Sequence, residues 1–118
     1  METQEIAQGE WAQFLDEFSK QHQGENATVQ VIGEDDGVQT EAQSMPFVGI
    51  SSEEKGSEKG AFFVMLGTEA DDHVEHEIRG VSHLWQKPSE GSFGAALEME
   101  TTDGIKTILQ LEPTPLLA

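Results

Sequence analysis

Between Thr68 and Gly80 the chain reads TEADDHVEHEIRG, with His73 and His76 standing among five carboxylates. Two imidazoles and an acid are the donor set of catalytic zinc and non-haem iron sites, which keep a coordination position open for water or substrate. Whether these side chains can meet depends on the backbone that carries them. On a short helix, His73, His76 and Glu77 would cluster on one face beside an inner stripe of Ala70, Val74 and Ile78. Thr68 and Asp71 would supply a capping-box-like start and Gly80 the stop. On a strand, His73, Glu75 and Glu77 would share one face and Val74, His76 and Ile78 the other. The two imidazoles would then point apart, and His76 would sit among apolar neighbours, hydrogen-bonded to backbone or a carboxylate. Spacing leaves both open, because histidines three apart are common by chance and acids are expected everywhere in this chain. His73, His76 and Glu77 are therefore the candidate metal ligands, with a divalent cation as the alternative cofactor. The preferred reading is plainer: a solvated segment with one histidine against the core, and no cofactor.

Other chemistries lack their residues. There is no cysteine, which removes disulfides, thiolate metal sites and cysteine nucleophiles. No Gly-x-x-x-x-Gly-Lys or Gly-x-Gly-x-x-Gly phosphate loop occurs, and EKGSEKG runs into AFFVMLG, which reads as a strand and offers no helix N-terminus. The Gly-x-Ser-x-Gly elbow is absent. The stretch EDDG is too short for an EF-hand loop and lacks its terminal glutamate. A Ser-His-Asp triad is not legible from spacing, since its members meet only in the fold. Tyrosine is absent and Arg79 is the one guanidinium, so an anionic substrate would find little to hold it. These absences lean away from an enzyme.

Charge is the strongest compositional signal: 23 Asp and Glu against 6 Lys and Arg, a net −17 over 118 residues. Such a surface repels nucleic-acid phosphate and anionic membrane, and neither is expected as a partner. A protein or small-molecule partner, or a second copy of the chain, remains. The acids are spread along the whole sequence and lysine is confined to Lys20, Lys55, Lys59, Lys87 and Lys106. That distribution points to a halophilic or salt-tolerant origin, where screening relieves self-repulsion, ahead of one cation-binding patch or plain solubility. Apolar runs fall well short of the roughly 18 residues that span a bilayer. The start METQEIAQGEW has neither a basic region nor an apolar one, so a soluble cytoplasmic protein is expected.

The elements that must position these residues are legible from periodicity. In EWAQFLDEFSKQHQG, Trp11, Phe14, Leu15 and Phe18 fall at i, i+3, i+4 and i+7, one face of a helix over about residues 9–23, with Gly24 as its left-handed stop. From ATVQVIG onward the period is two, as in strands. VQTEAQSM is a further strand, Pro46 interrupts it, and FVGIS resumes. Ser52 to Gly60 is a glycine- and charge-rich loop, and AFFVMLG, continuously apolar, is the candidate central strand. VSHLWQK follows; then SFGAALEMET and IKTILQLE flank TDG as a hairpin, with Phe93, Ala95, Leu97 and Met99 on one face of the first arm. Ile105, Thr107, Leu109 and Leu111 share one face of the second arm, and a proline-stiffened tail closes the chain over 113–118. Short connections and no second helix argue against βαβ units. The expectation is a single α+β domain over 1–118. An N-terminal amphipathic helix would pack on a bent, mainly antiparallel sheet or small open barrel of six or seven strands, all within 26–112.

Laid out this way, the chain resembles a family of small bacterial proteins catalogued as domain of unknown function 5335. The resemblance runs nearly end to end and rests on EWAQFLDEFSK, MPFVGIS, LGTEADDHVEHEI and DGIKTILQLEPTPLL. Trp11, Pro46, Gly49, Ile50, His73, His76, Asp103, Gly104 and Pro113 occupy the family's positions. Two departures stand out: Glu77 follows His76 where the family has proline, and the loop at 52–60 is expanded. The resemblance implies one compact domain of bacterial cytoplasmic origin. It carries no catalytic signature. The sequence reading is thus a non-enzymatic interaction or structural domain, with a metal-binding module or metal-assisted enzyme at His73, His76 and Glu77 as the alternative.

Overall fold

The structure, a computed structural model, describes residues 3–33, 37–53, 60–67, 73–87 and 94–112. A single α-helix, α1 (Trp11–His22), follows a 3₁₀ turn at Gln8–Glu10. Its apolar stripe does what the spacing requires: Trp11, Leu15 and Phe18 are buried and Phe14 is half-buried against them. Lys20 and His22 occupy its last turn, where the helix dipole favours positive charge. Gly24, at φ +91°, takes the left-handed conformation that turns the chain out of the helix, and its N–H donates to the Phe47 carbonyl at 2.8 Å.

Eight strands follow the chain: β1 (Gln4–Glu5), β2 (Asn26–Gly33), β3 (Gly37–Ser52), β4 (Phe62–Leu66), β5 (Val74–Ile78), β6 (Val81–Lys87), β7 (Ala95–Thr101) and β8 (Lys106–Glu112). They form one sheet in the order β1-β6-β7-β8-β2-β3-β4-β5, every pairing antiparallel. The order begins and ends on different strands, so the sheet curls without closing. The α+β class, the N-terminal helix and the antiparallel sheet are as expected. The strand number is not: eight appear among the described residues, against six or seven read from the sequence, and β1 lies before the helix, ahead of residue 26.

Two physical reasons account for the difference. A two-residue strand such as β1 has no periodicity to read; it exists because β6 offers it partners at Gln86 and Trp85. And Pro46 does not end its strand. β3 runs unbroken through it for 16 residues because the proline sits where the strand changes partner, from β2 to β4. Register shifts lie on both sides of Pro46, and its carbonyl accepts from the Gly67 N–H at 2.8 Å, so the missing donor is absorbed in a bend.

The bend folds the short β3–β4–β5 arm and α1 over one face of the larger β1–β6–β7–β8–β2–β3 arm. Between them lies one core. Ala27 and Val29, Leu97 and Met99, and Leu109 and Leu111 reach it from the larger arm, and Phe62, Val64 and Leu66 from β4. Trp11 meets Phe62 edge-on with centroids 5.0 Å apart, an arrangement aromatic pairs prefer. The apolar run AFFVMLG is an interior strand, flanked by β3 and β5 and one place from the edge. Ser19, on α1, pins the helix to the sheet: its hydroxyl accepts from the Ile50 N–H at 2.8 Å and donates to the Ile50 carbonyl at 3.0 Å. A buried donor left unpaired costs about 1–3 kcal/mol, so this one side chain fixes the helix against β3.

Candidate functional site

The histidine segment is an edge strand. Val74–Ile78 forms β5, paired on one side only, with Ile78 opposite Phe62, Glu77 opposite Phe63, His76 opposite Val64 and Val74 opposite Leu66. The stretch Thr68–Asp72, which would have capped a helix, lies outside the described residues. Alternation along a strand sends neighbouring side chains to opposite faces. His76 therefore shares the core-side face with Ile78 and is half-buried at its rim, while Glu77 leaves by the other face. Glu77 accepts from Arg79 Nε at 2.6 Å. His73 precedes the strand and is exposed. Among the described residues no group of three or more His, Asp or Glu side chains is arranged to hold a metal ion.

His76 does reach a feature that the sequence separates widely. A cleft of about 240 Å³ opens between β5, the β7–β8 turn and the β2–β3 arm. Glu41, His76, Glu77, Arg79 and Asp103 line it with Val31, Ile78 and Ile105, His76 and Glu77 coming from opposite faces of the edge strand β5. Two of its three carboxylates serve structural neighbours. Glu77 holds Arg79, and Asp103 accepts from the Thr101 hydroxyl inside the hairpin turn. The cleft is open to water, so its charges lack the low-dielectric surroundings that make acid–base or electrostatic catalysis effective.

The larger feature is the outer face of the long arm, opposite the core. Strand register assigns it row by row. One row runs Glu5, Trp85, Glu98, Ile108, Gln30, Thr40; a second runs His83, Glu100, Lys106, Ile32, Val38; a third runs Lys87, Ala96, Gln110, Thr28. Trp85, Ile108 and Ile32 are half-buried, and Val38, at 59% exposed, is one of two large apolar side chains most open to solvent among the described residues. The helix packs on β3 from the core side and the other extensive contacts join neighbouring strands, so among the described residues no second layer covers this face.

Two pairs of charges on it are in contact. His83 Nδ1 lies 2.7 Å from Glu5 Oε2, and its ring stacks on Trp85 with centroids 5.2 Å apart and planes 15° apart. Lys87 Nζ lies 3.1 Å from Glu98 Oε1, whose side chain is only 13% exposed. Lys106 stands directly across the strand from Glu100. Cross-strand pairs of opposite charge stabilise a sheet by about 0.2–1 kcal/mol each, and here they also leave little net charge to desolvate.

The sequence pattern of the family of unknown function DUF5335 matches residues 2–117 of the chain. The chain belongs to that family. No curated protein and no solved structure matches it. In this DUF5335 member, most of the residues that carry the resemblance build the scaffold. Trp11 Nε1 donates to the Ile6 carbonyl at 3.0 Å as its ring packs on Phe62. Pro46 marks the bend in β3, and Ile50 is the residue Ser19 clasps. Gly104, at φ +86°, closes the β7–β8 turn that Asp103 braces. Of these, His76 and Asp103 reach the cleft; Pro113 lies outside the described residues. The sequence reading passed over Ser19 and the stack of His83 on Trp85. The second had a signal: His83, Trp85 and Lys87 alternate with the buried Leu84, which places a tryptophan on the solvent side of a strand.

Proposed function

We propose that this chain is a non-enzymatic interaction domain whose binding surface is the outer face of its long sheet arm. The observation that carries the reading is Trp85, Ile108, Ile32 and Val38 together on a sheet face that no described element covers, with the ion pairs His83–Glu5 and Lys87–Glu98 beside them. An antiparallel sheet often keeps one wet face, but such faces are ordinarily polar. Ile108, Ile32 and Val38 lie on adjoining strands and Trp85 one strand beyond Glu98; apolar side chains set among polar ones are what protein interfaces use, and tryptophan is enriched among the residues that contribute most to binding. The cleft at His76 supports catalysis less well, since two of its three acids serve the hairpin and Arg79.

Hydroxyl-radical footprinting of the native protein in its own cells, set against the purified chain at low concentration, tests this. Slower labelling of Trp85, Ile108 and Val38 inside the cell is expected. Equal labelling in both settings removes the reading.

A further inference from the structure

We infer that the partner of this face is a second copy of the same chain, docked about a two-fold axis; the inference rests on reading that face as the binding surface. At −17, two copies repel each other wherever acid meets acid. A basic partner would settle on the acidic surface, which is most of the molecule. The outer sheet face is the exception. Two of the chain's six Lys and Arg residues, Lys87 and Lys106, project from it, joined by His83. They interleave with Glu5, Glu98, Glu100 and Glu112, so both signs are present within a few ångströms of one another. A surface that meets its own copy must be self-complementary, because each residue type on one side faces the same patch on the other. A patch of one sign fails that condition. A mixed patch with apolar side chains in it meets it: Trp85, Ile108 and Ile32 of the two copies come together while Lys106 of each faces a glutamate of the other. Pre-formed pairs such as Lys87 with Glu98 lower the cost of burying these charges, because neither partner enters the interface alone.

The size fits a reversible dimer. Five strands spaced about 4.8 Å apart and about seven residues long, with the two-residue β1 at one edge, give a footprint on the order of 19 by 23 Å. That is about half of the roughly 800 Å² per partner of a standard stable interface, the range of weak, concentration-dependent association. Overall repulsion between the copies adds a sign to the prediction. Salt screens it, so raising salt strengthens the dimer, the opposite of an association held by ion pairs.

The test is sedimentation velocity on the untagged full chain, from about 1 µM to about 1 mM, in low and molar sodium chloride. A monomer–dimer equilibrium is expected, with a dissociation constant that falls about tenfold or more as salt rises. Val38→Glu, at a position already open to solvent, and Trp85→Glu are each expected to leave a monomer throughout, with the far-ultraviolet circular dichroism of the native chain. Should Trp85→Glu alter the fold, Val38→Glu carries the result. A wild-type chain that stays monomeric at the highest concentration overturns the inference, as does a dimer that both substitutions leave intact. Monomer in solution together with slowed labelling of Trp85 in the cell would overturn the self-association and leave the interaction reading standing. Monomer with no slowed labelling would overturn both.

Discussion

His76 and Glu77 show how much a single residue's surroundings change the chemistry its type suggests. Both have the donors a metal needs, yet adjacent positions on a strand diverge, and Glu77 is occupied by Arg79 at 2.6 Å. A site that gathers His73, His76 and Glu77 would require β5 to leave Phe62, Val64 and Leu66, exposing Ile78. Titration of tag-free protein with zinc or cobalt, wild type against His73→Ala and His76→Ala, is therefore expected to show weak binding spread over many carboxylates and indifferent to both substitutions. One equivalent bound at micromolar or tighter affinity, lost in both variants, would restore the metal reading.

Among the elements, α1 is the one whose packing can be weighed residue by residue. Trp11 is 4% exposed, donates to the Ile6 carbonyl and packs on Phe62, whereas Phe14, equal to it in the helical pattern, is only half-buried. Trp11→Ala is expected to cost about 3–5 kcal/mol of unfolding free energy by chemical denaturation, the range for a large buried aromatic. Phe14→Ala should cost clearly less, on the order of 1–2 kcal/mol, because part of its ring already faces water. Equal losses at the two positions would mean that Phe14 is covered in solution by something beyond the described residues.

For the whole molecule the governing quantity is net charge. The ion pairs Lys20–Asp16, Arg79–Glu77 and Lys87–Glu98 engage few of the 23 acids, and the remainder repel one another across a small body. We propose that the chain is adapted to salt. Its melting temperature, measured at a protein concentration low enough to keep the monomer, should rise by several degrees between low and molar monovalent salt as that repulsion is screened. A flat or falling melting temperature would end the halophilic reading.

Local pattern alone determined much of this protein. The stripe at Trp11, Leu15 and Phe18 specified the helix, Gly24 its end, the alternation of Leu97 and Met99 with Leu109 and Leu111 the terminal hairpin, and the motifs from Trp11 to Gly104 the family. Each depends on neighbours within a few residues, where side-chain period and backbone freedom suffice. Tertiary structure decided the rest. Pro46 reads as a break, and only the exchange of β2 for β4 as partner makes it a bend. The segment at His73 and His76 was open between helix and strand until β4 supplied hydrogen-bond partners along Val74–Ile78. The outer face joins Ile32 and Val38 of the β2–β3 hairpin to Trp85 of β6 and Ile108 of β8, more than 40 residues further along the chain, and whether a second layer covers a sheet face is settled by packing, which no local period encodes.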